Sequence, residues 1–118
     1  MPVENTVPAS STPKTSAAAT TGAPTPLAAG FRDPVHDAQA CFRAIMNAMA
    51  RPGTLQAITA DTLKPPAPLT PAAAAIALTL FDYDTPVWLD RQLAASEAVK
   101  AFLRFHTGCP IVTEPVEA

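Results

Sequence analysis

Arg104 and His106 flank Phe105 and precede Thr107 and Gly108. A guanidinium, an imidazole and a hydroxyl so close together can hold an oxyanion through charge-assisted hydrogen bonds. No phosphate loop accompanies them. The chain has neither GxxxxGK(S/T) nor GxGxxG, and its four glycines, Gly22, Gly30, Gly53 and Gly108, stand singly. Asp82 and Asp84, taken with His106, supply ligand types that suit a cation. Both aspartates also have local work, at a helix end and in an Asp-Thr-Pro turn, and structure is favoured over metal. His106 near a helix C-terminus is stabilised there when protonated, without acting as a general base.

Covalent chemistry has less to build on. Cys41 falls mid-helix on or beside an apolar stripe, and Cys109 lies between Gly108 and Pro110, with no CxxC pair. Two reduced, mostly buried thiols are expected. A Schiff base needs a lysine in a site. Lys14 lies in a tail, Lys64 adjoins a proline connector and Lys100 is expected on the solvent side of a helix, so each reads as a solubilising charge. Trp88 and Tyr83 remain as candidate interface residues.

The elements that must position these groups are marked by caps and apolar spacing. Asp33-Pro34 opens a helix, Pro52-Gly53 closes it near Ala50, and Val35, Ala38, Phe42, Ile45 and Met49 form the stripe expected to be buried. Thr54 to Thr59 reads as a short strand, and Lys64 to Pro68 as a stiff, extended connector. Thr70-Pro71 opens a second helix over Ala72 to Phe81, with Ile76 and Leu80 on one face. After the turn Asp82 to Thr85, Pro86 to Leu89 reads as a buried strand. Ser96 caps a third helix whose face holds Val99, Phe102, Leu103 and His106 and which Gly108 ends; Pro110 to Thr113 reads as a further strand. Strand, helix, strand favours a right-handed crossover between parallel strands, hence an α/β fold. About three short strands are fewer than a usual sheet holds, which suggests a truncated domain.

Residues 1–30 are largely Ala, Pro, Ser and Thr, with Glu4 and Lys14 their only charges. Such a segment cannot offset roughly 1–2 kcal/mol of backbone entropy per residue, so a disordered tail is expected, followed by one domain over 31–118. It lacks the basic start and unbroken apolar centre of a secretory signal, and no run approaches the ~18 apolar residues of a membrane span. With 8 basic and 10 acidic residues the net charge is −2, and no stretch interleaves cations with aromatics. Nucleic acid and membrane are therefore not expected partners, and a cytoplasmic location fits the thiols.

Three segments taken together carry a family resemblance: FRDPVHDAQACFRAIMNAMARPG at 31–53, LTLFDYDTPVWL at 78–89 and RFHTGCPIV at 104–112. In content, order and spacing they resemble PhnH, the H subunits of the bacterial carbon-phosphorus lyase system. The resemblance implies a three-layer fold like that of pyridoxal-phosphate-dependent transferases but without the cofactor, and family chains that continue well past residue 118. It implies a subunit that assembles with G, I and J partners, and with a second copy of itself, to break down phosphonates. In that system phosphonate displaces adenine from ATP to give ribose 1-phosphonate 5-triphosphate, a step assigned mainly to the I subunit with G, H and L assisting. Iron-sulfur and S-adenosylmethionine chemistry belongs to J, so no cofactor and no catalytic residue transfers to this chain. The expected role is structural, through apolar surface around Trp88 and the first helix. The alternative is a phosphate- or phosphonate-binding protein or enzyme with Arg43, Asp84, Arg104 and His106 lining an anion pocket.

Overall fold

The computed structural model describes residues 27–118. The expected disordered tail lies outside the described residues up to 26, and its last four positions are placed: Ala28 and Gly30 are half-buried, and the Ala28 carbonyl accepts a hydrogen bond from His106. The order of elements is α1 (Pro34–Ala50), α2 (Pro71–Leu80), β1 (Val87–Trp88), α3 (Arg91–Ala94), α4 (Glu97–Thr107), β2 (Ile111–Val112) and a closing 3-10 turn over Pro115–Glu117. The described chain is mostly helical, with one sheet of two short parallel strands.

Each long helix begins where a side-chain oxygen can take a free amide of the first turn. Asp33 accepts from the His36 amide, Thr70 from Ala73 and Ser96 from Val99. Pro34 and Pro71 occupy first-turn positions that need no amide hydrogen. α4 ends on Gly108 at φ 74°, the left-handed conformation that costs glycine least, and its amide donates to the Arg104 carbonyl.

The core sits between α2 and α4 and reaches α1. Phe102, Leu103 and Val99 of α4 meet Ala74, Ala75 and Ala77 of α2, with Leu63, Leu69, Leu89, Cys41 and Cys109 closing the cluster. Both thiols are free and buried. Small alanines on α2 let neighbouring elements approach closely, which suits the large side chains of α4.

The expected face of α1 is displaced. Its core-facing side is Ala38, Cys41, Ala44, Ile45 and Ala48, while Val35, Phe42 and Met49 are exposed together with Met46. Bulk on a helix does not decide which arc faces inward; here α1 packs on α2, whose buried side is alanine. On α2 the buried positions are likewise Ala74, Ala75 and Ala77, with Ile76 half-buried and Leu80 exposed.

Thr54–Thr59 is not a strand. It finds no partner for a ladder, Leu55 points fully into solvent, and only Ile58 packs on the core. The sheet therefore has two strands where about three were expected. The connector also bends: the Leu69 amide donates to the Pro66 carbonyl. β1 is narrower than Pro86 to Leu89 and only partly buried, with Trp88 outside the core. It pairs in parallel with β2, Val87 opposite Ile111 and Trp88 opposite Val112, across the expected strand, helix, strand unit. α3 was not foreseen; its signal is Asp90, which caps it by accepting from the Leu93 amide. Lys100 is not a free solvent-side charge, since its half-buried stem brings Nζ to 2.7 Å from Glu97.

Candidate functional site

The candidate residues lie on three elements. Arg43 is on the exposed side of α1, Asp84 is in the turn between α2 and β1, and Arg104 and His106 are in the last turn of α4. The turn at 82–85 lies beside the end of α4, because a methyl group at Gly108 would sit 3.7 Å from Tyr83 Cβ. Tyr83 and Asp84 thus share one end of the sheet with Arg104 and His106. That end precedes both strands, whereas ligands of open α/β sheets bind beyond the carboxyl ends of strands.

Local bonding occupies several of these groups. Asp82 Oδ1 accepts from the Asp84 amide at 3.0 Å and from the Thr85 hydroxyl at 2.8 Å, so one oxygen of this carboxylate is engaged in the turn. His106 Nε2 lies 2.8 Å from the Ala28 carbonyl oxygen. A carbonyl can only accept, so Nε2 carries the proton and donates it. The imidazole ring lies against Phe102, at 4.6 Å and tilted by 58°, and Phe105, at 5.0 Å and edge-on. It also meets Gly30, where a Cβ would lie 3.0 Å from Nδ1, a contact that would make the ring give by a few tenths of an ångström. His106 therefore fastens the segment before α1 to α4, across 78 residues of sequence.

Arg43, with Ala38, Gln39, Phe42 and Thr79, lines a cavity of about 290 Å³ between α1 and α2. His106 lines a separate one of about 390 Å³ with Gly30, Phe31, Pro34, Ala38 and Leu78. Asp84 and Arg104 line neither, so neither of these two cavities gathers two of the four. A wider cleft of about 490 Å³, bordered by Arg32, Asp61, Thr62 and Lys64, escaped the sequence reading. Its polar residues come from two loops 29 residues apart, and no motif marks them.

Asp33 is held below its usual value of 3.8 by the hydrogen bond to the His36 side chain, and Glu97 below 4.5 by the hydrogen bond from Lys100. Neither pair borders a nucleophile. Cys41 and Cys109 are buried, and Ser96 is engaged at its helix cap. Asp82, Ser96 and His106 thus have structural engagements among the described residues, whereas Arg43 and Arg104 make no side-chain hydrogen bond or ion pair there.

The described residues form a helical core with a parallel strand pair, and the lineage of the chain is given by comparison with known proteins. Residues 29–118 match the family of bacterial phosphonate metabolism proteins, PhnH, and the chain belongs to that family. It is also similar to the alpha-D-ribose 1-methylphosphonate 5-triphosphate synthase subunit PhnH of Rhizobium meliloti (strain 1021), at 48% identity over 81 residues. That match covers 69% of this chain and 40% of the relative's length. No helix among the described residues is long and apolar enough to cross a membrane.

Proposed function

We propose that the chain serves as a structural part of a synthase that joins a phosphonate to the ribose of a nucleoside triphosphate, giving ribose 1-phosphonate 5-triphosphate. The observation that carries this reading is the 48% identity to a protein named as a subunit of such a synthase, together with the engagement of His106 at the Ala28 carbonyl and of Asp82 in its turn. The partners are G, I and J subunits and a second copy of the chain, in the cytoplasm, with the exposed Trp88 and Tyr83 among the contact residues. The fold is the first part of a three-layer α/β domain, like that of pyridoxal-phosphate-dependent transferases, to which β1 and β2 contribute a parallel pair.

A second reading draws on Arg43, which borders an open cavity and has no ion pair among the described residues. In it, Arg43, Asp84, Arg104 and His106 bind phosphate or phosphonate. Substituting Arg104 and His106 by Ala in the full-length protein separates the two, with growth on methylphosphonate and co-purification with the I subunit as readouts. The structural reading expects growth and assembly to be kept or lost together. Lost growth with intact assembly would overturn it, and unaffected growth would remove the anion pocket.

A further inference from the structure

α1 has two apolar sides and the described residues cover one of them. At 100° per residue, Val35, Phe42, Met46 and Met49 fall within about 60° of arc, next to the buried Cys41 and the half-buried Ala38, Ala44, Ile45 and Ala48. They are 63%, 47%, 48% and 71% exposed. A helix apolar over so wide an arc is a helix packed on two sides. The sheet is unfinished in the same sense. β1 and β2 have two residues each, neither has a second ladder partner among the described residues, and Trp88 is exposed, although parallel strands are normally covered on both faces.

We propose that the Val35, Phe42, Met46 and Met49 stripe is one half of an internal packing interface. Its other half is polypeptide of the same family fold, in the part of the relative's length outside the 81 matched residues. The size of that part supports the assignment, since the match covers 40% of the relative. Charge disfavours a second copy of α1 as the occupant. Between Ala38 and Arg51 the only charges are Arg43 and Arg51, and a two-fold antiparallel pairing through Phe42 and Met46 would set one Arg43 beside the other.

The inference rests on the reading that this chain is one part of a longer family fold, and the test separates the two. Met46 and Met49 are internal probes, because an exposed thioether is oxidised by peroxide and a packed one is protected. The chain alone is compared with a chimera in which it is continued by the remaining polypeptide of the Rhizobium meliloti relative. Sulfoxide formation at each methionine is followed by mass spectrometry, beside a thermal melt. The expected result is a cooperative melt of the chimera and oxidation of Met46 and Met49 slowed at least tenfold relative to the chain alone. A cooperative chimera whose Met46 and Met49 oxidise as fast as before overturns the stripe assignment alone. A chimera without a cooperative melt overturns the longer-fold reading and the assignment with it. Protection already present in the chain alone, with a dimeric mass that Met46→Glu converts to monomer, assigns the stripe to a second copy and also overturns it.

Discussion

Phe102 and Phe42 offer the same substitution at two depths. Phe102 on α4 has 0% of its surface exposed and Phe42 on α1 has 47%. Truncating a fully buried phenylalanine costs about 3–5 kcal/mol, because lost transfer energy and the cavity left behind add. At Phe42 only about half of the roughly 1.5–3 kcal/mol of full burial is at stake, and solvent fills the space, so the cost is about 1 kcal/mol. A domain of this size holds on the order of 5–14 kcal/mol in all, at ~0.05–0.15 kcal/mol per residue. Phe102→Ala therefore removes a large share of the stability and Phe42→Ala a small one. Urea unfolding followed by far-ultraviolet circular dichroism reads both differences from the transition midpoints at constant slope. Equal losses, or a larger loss for Phe42→Ala, would refute the placement of the core between α2 and α4 and restore the bulky stripe of α1 as its centre.

Gly108→Ala isolates backbone strain, because φ is 74° and the added methyl would meet Tyr83 at an ordinary 3.7 Å. The expected loss is about 1–2 kcal/mol, a fall in Tm of roughly 4–16 °C, and a melt within 1 °C of wild type would contradict it. Stability should also fall on acidification. Asp33 and Glu97 titrate below their ordinary 3.8 and 4.5 in the folded chain, so their contribution is complete above those values and is lost as pH drops through the lower folded ones. Asp33→Asn keeps a capping oxygen without the charge, and with Glu97→Gln it should flatten the slope of Tm against pH below about 4.5. An acid limb unchanged in the double variant would assign the slope to other carboxylates.

What was legible in the sequence is what neighbours along the chain decide. α4 could be read whole, with its Ser96 cap, its Val99, Phe102 and Leu103 face and its Gly108 stop, since every one of these signals lies within one turn of the group it acts on. The ends of α1 followed from Asp33-Pro34 and Pro52-Gly53 for the same reason. Its orientation did not, because a helix with apolar residues on two adjacent arcs must be turned by its neighbour, and α2 offers alanine. Thr54–Thr59 has strand-forming residues, but a strand exists only where another chain segment supplies its hydrogen bonds, and none lies alongside.

The candidate site shows the same division, with one difference. Asp82 and Asp84 behave as their spacing indicated, closing a turn, whereas the role of His106 depends on Ala28 and Gly30, 78 and 76 residues before it. No window along the sequence contains that contact. Yet Gly30 was visible as a lone glycine just before the Asp33 cap, and a glycine there with no turn to make signals a close approach by some other group. The imidazole is that group. Its hydrogen bond to Ala28, its aromatic neighbours and the missing Cβ at Gly30 together hold the entry to α1 against α4. His106 thus serves the fold by holding the segment before α1, a role that neither an anion ligand nor a general base would require.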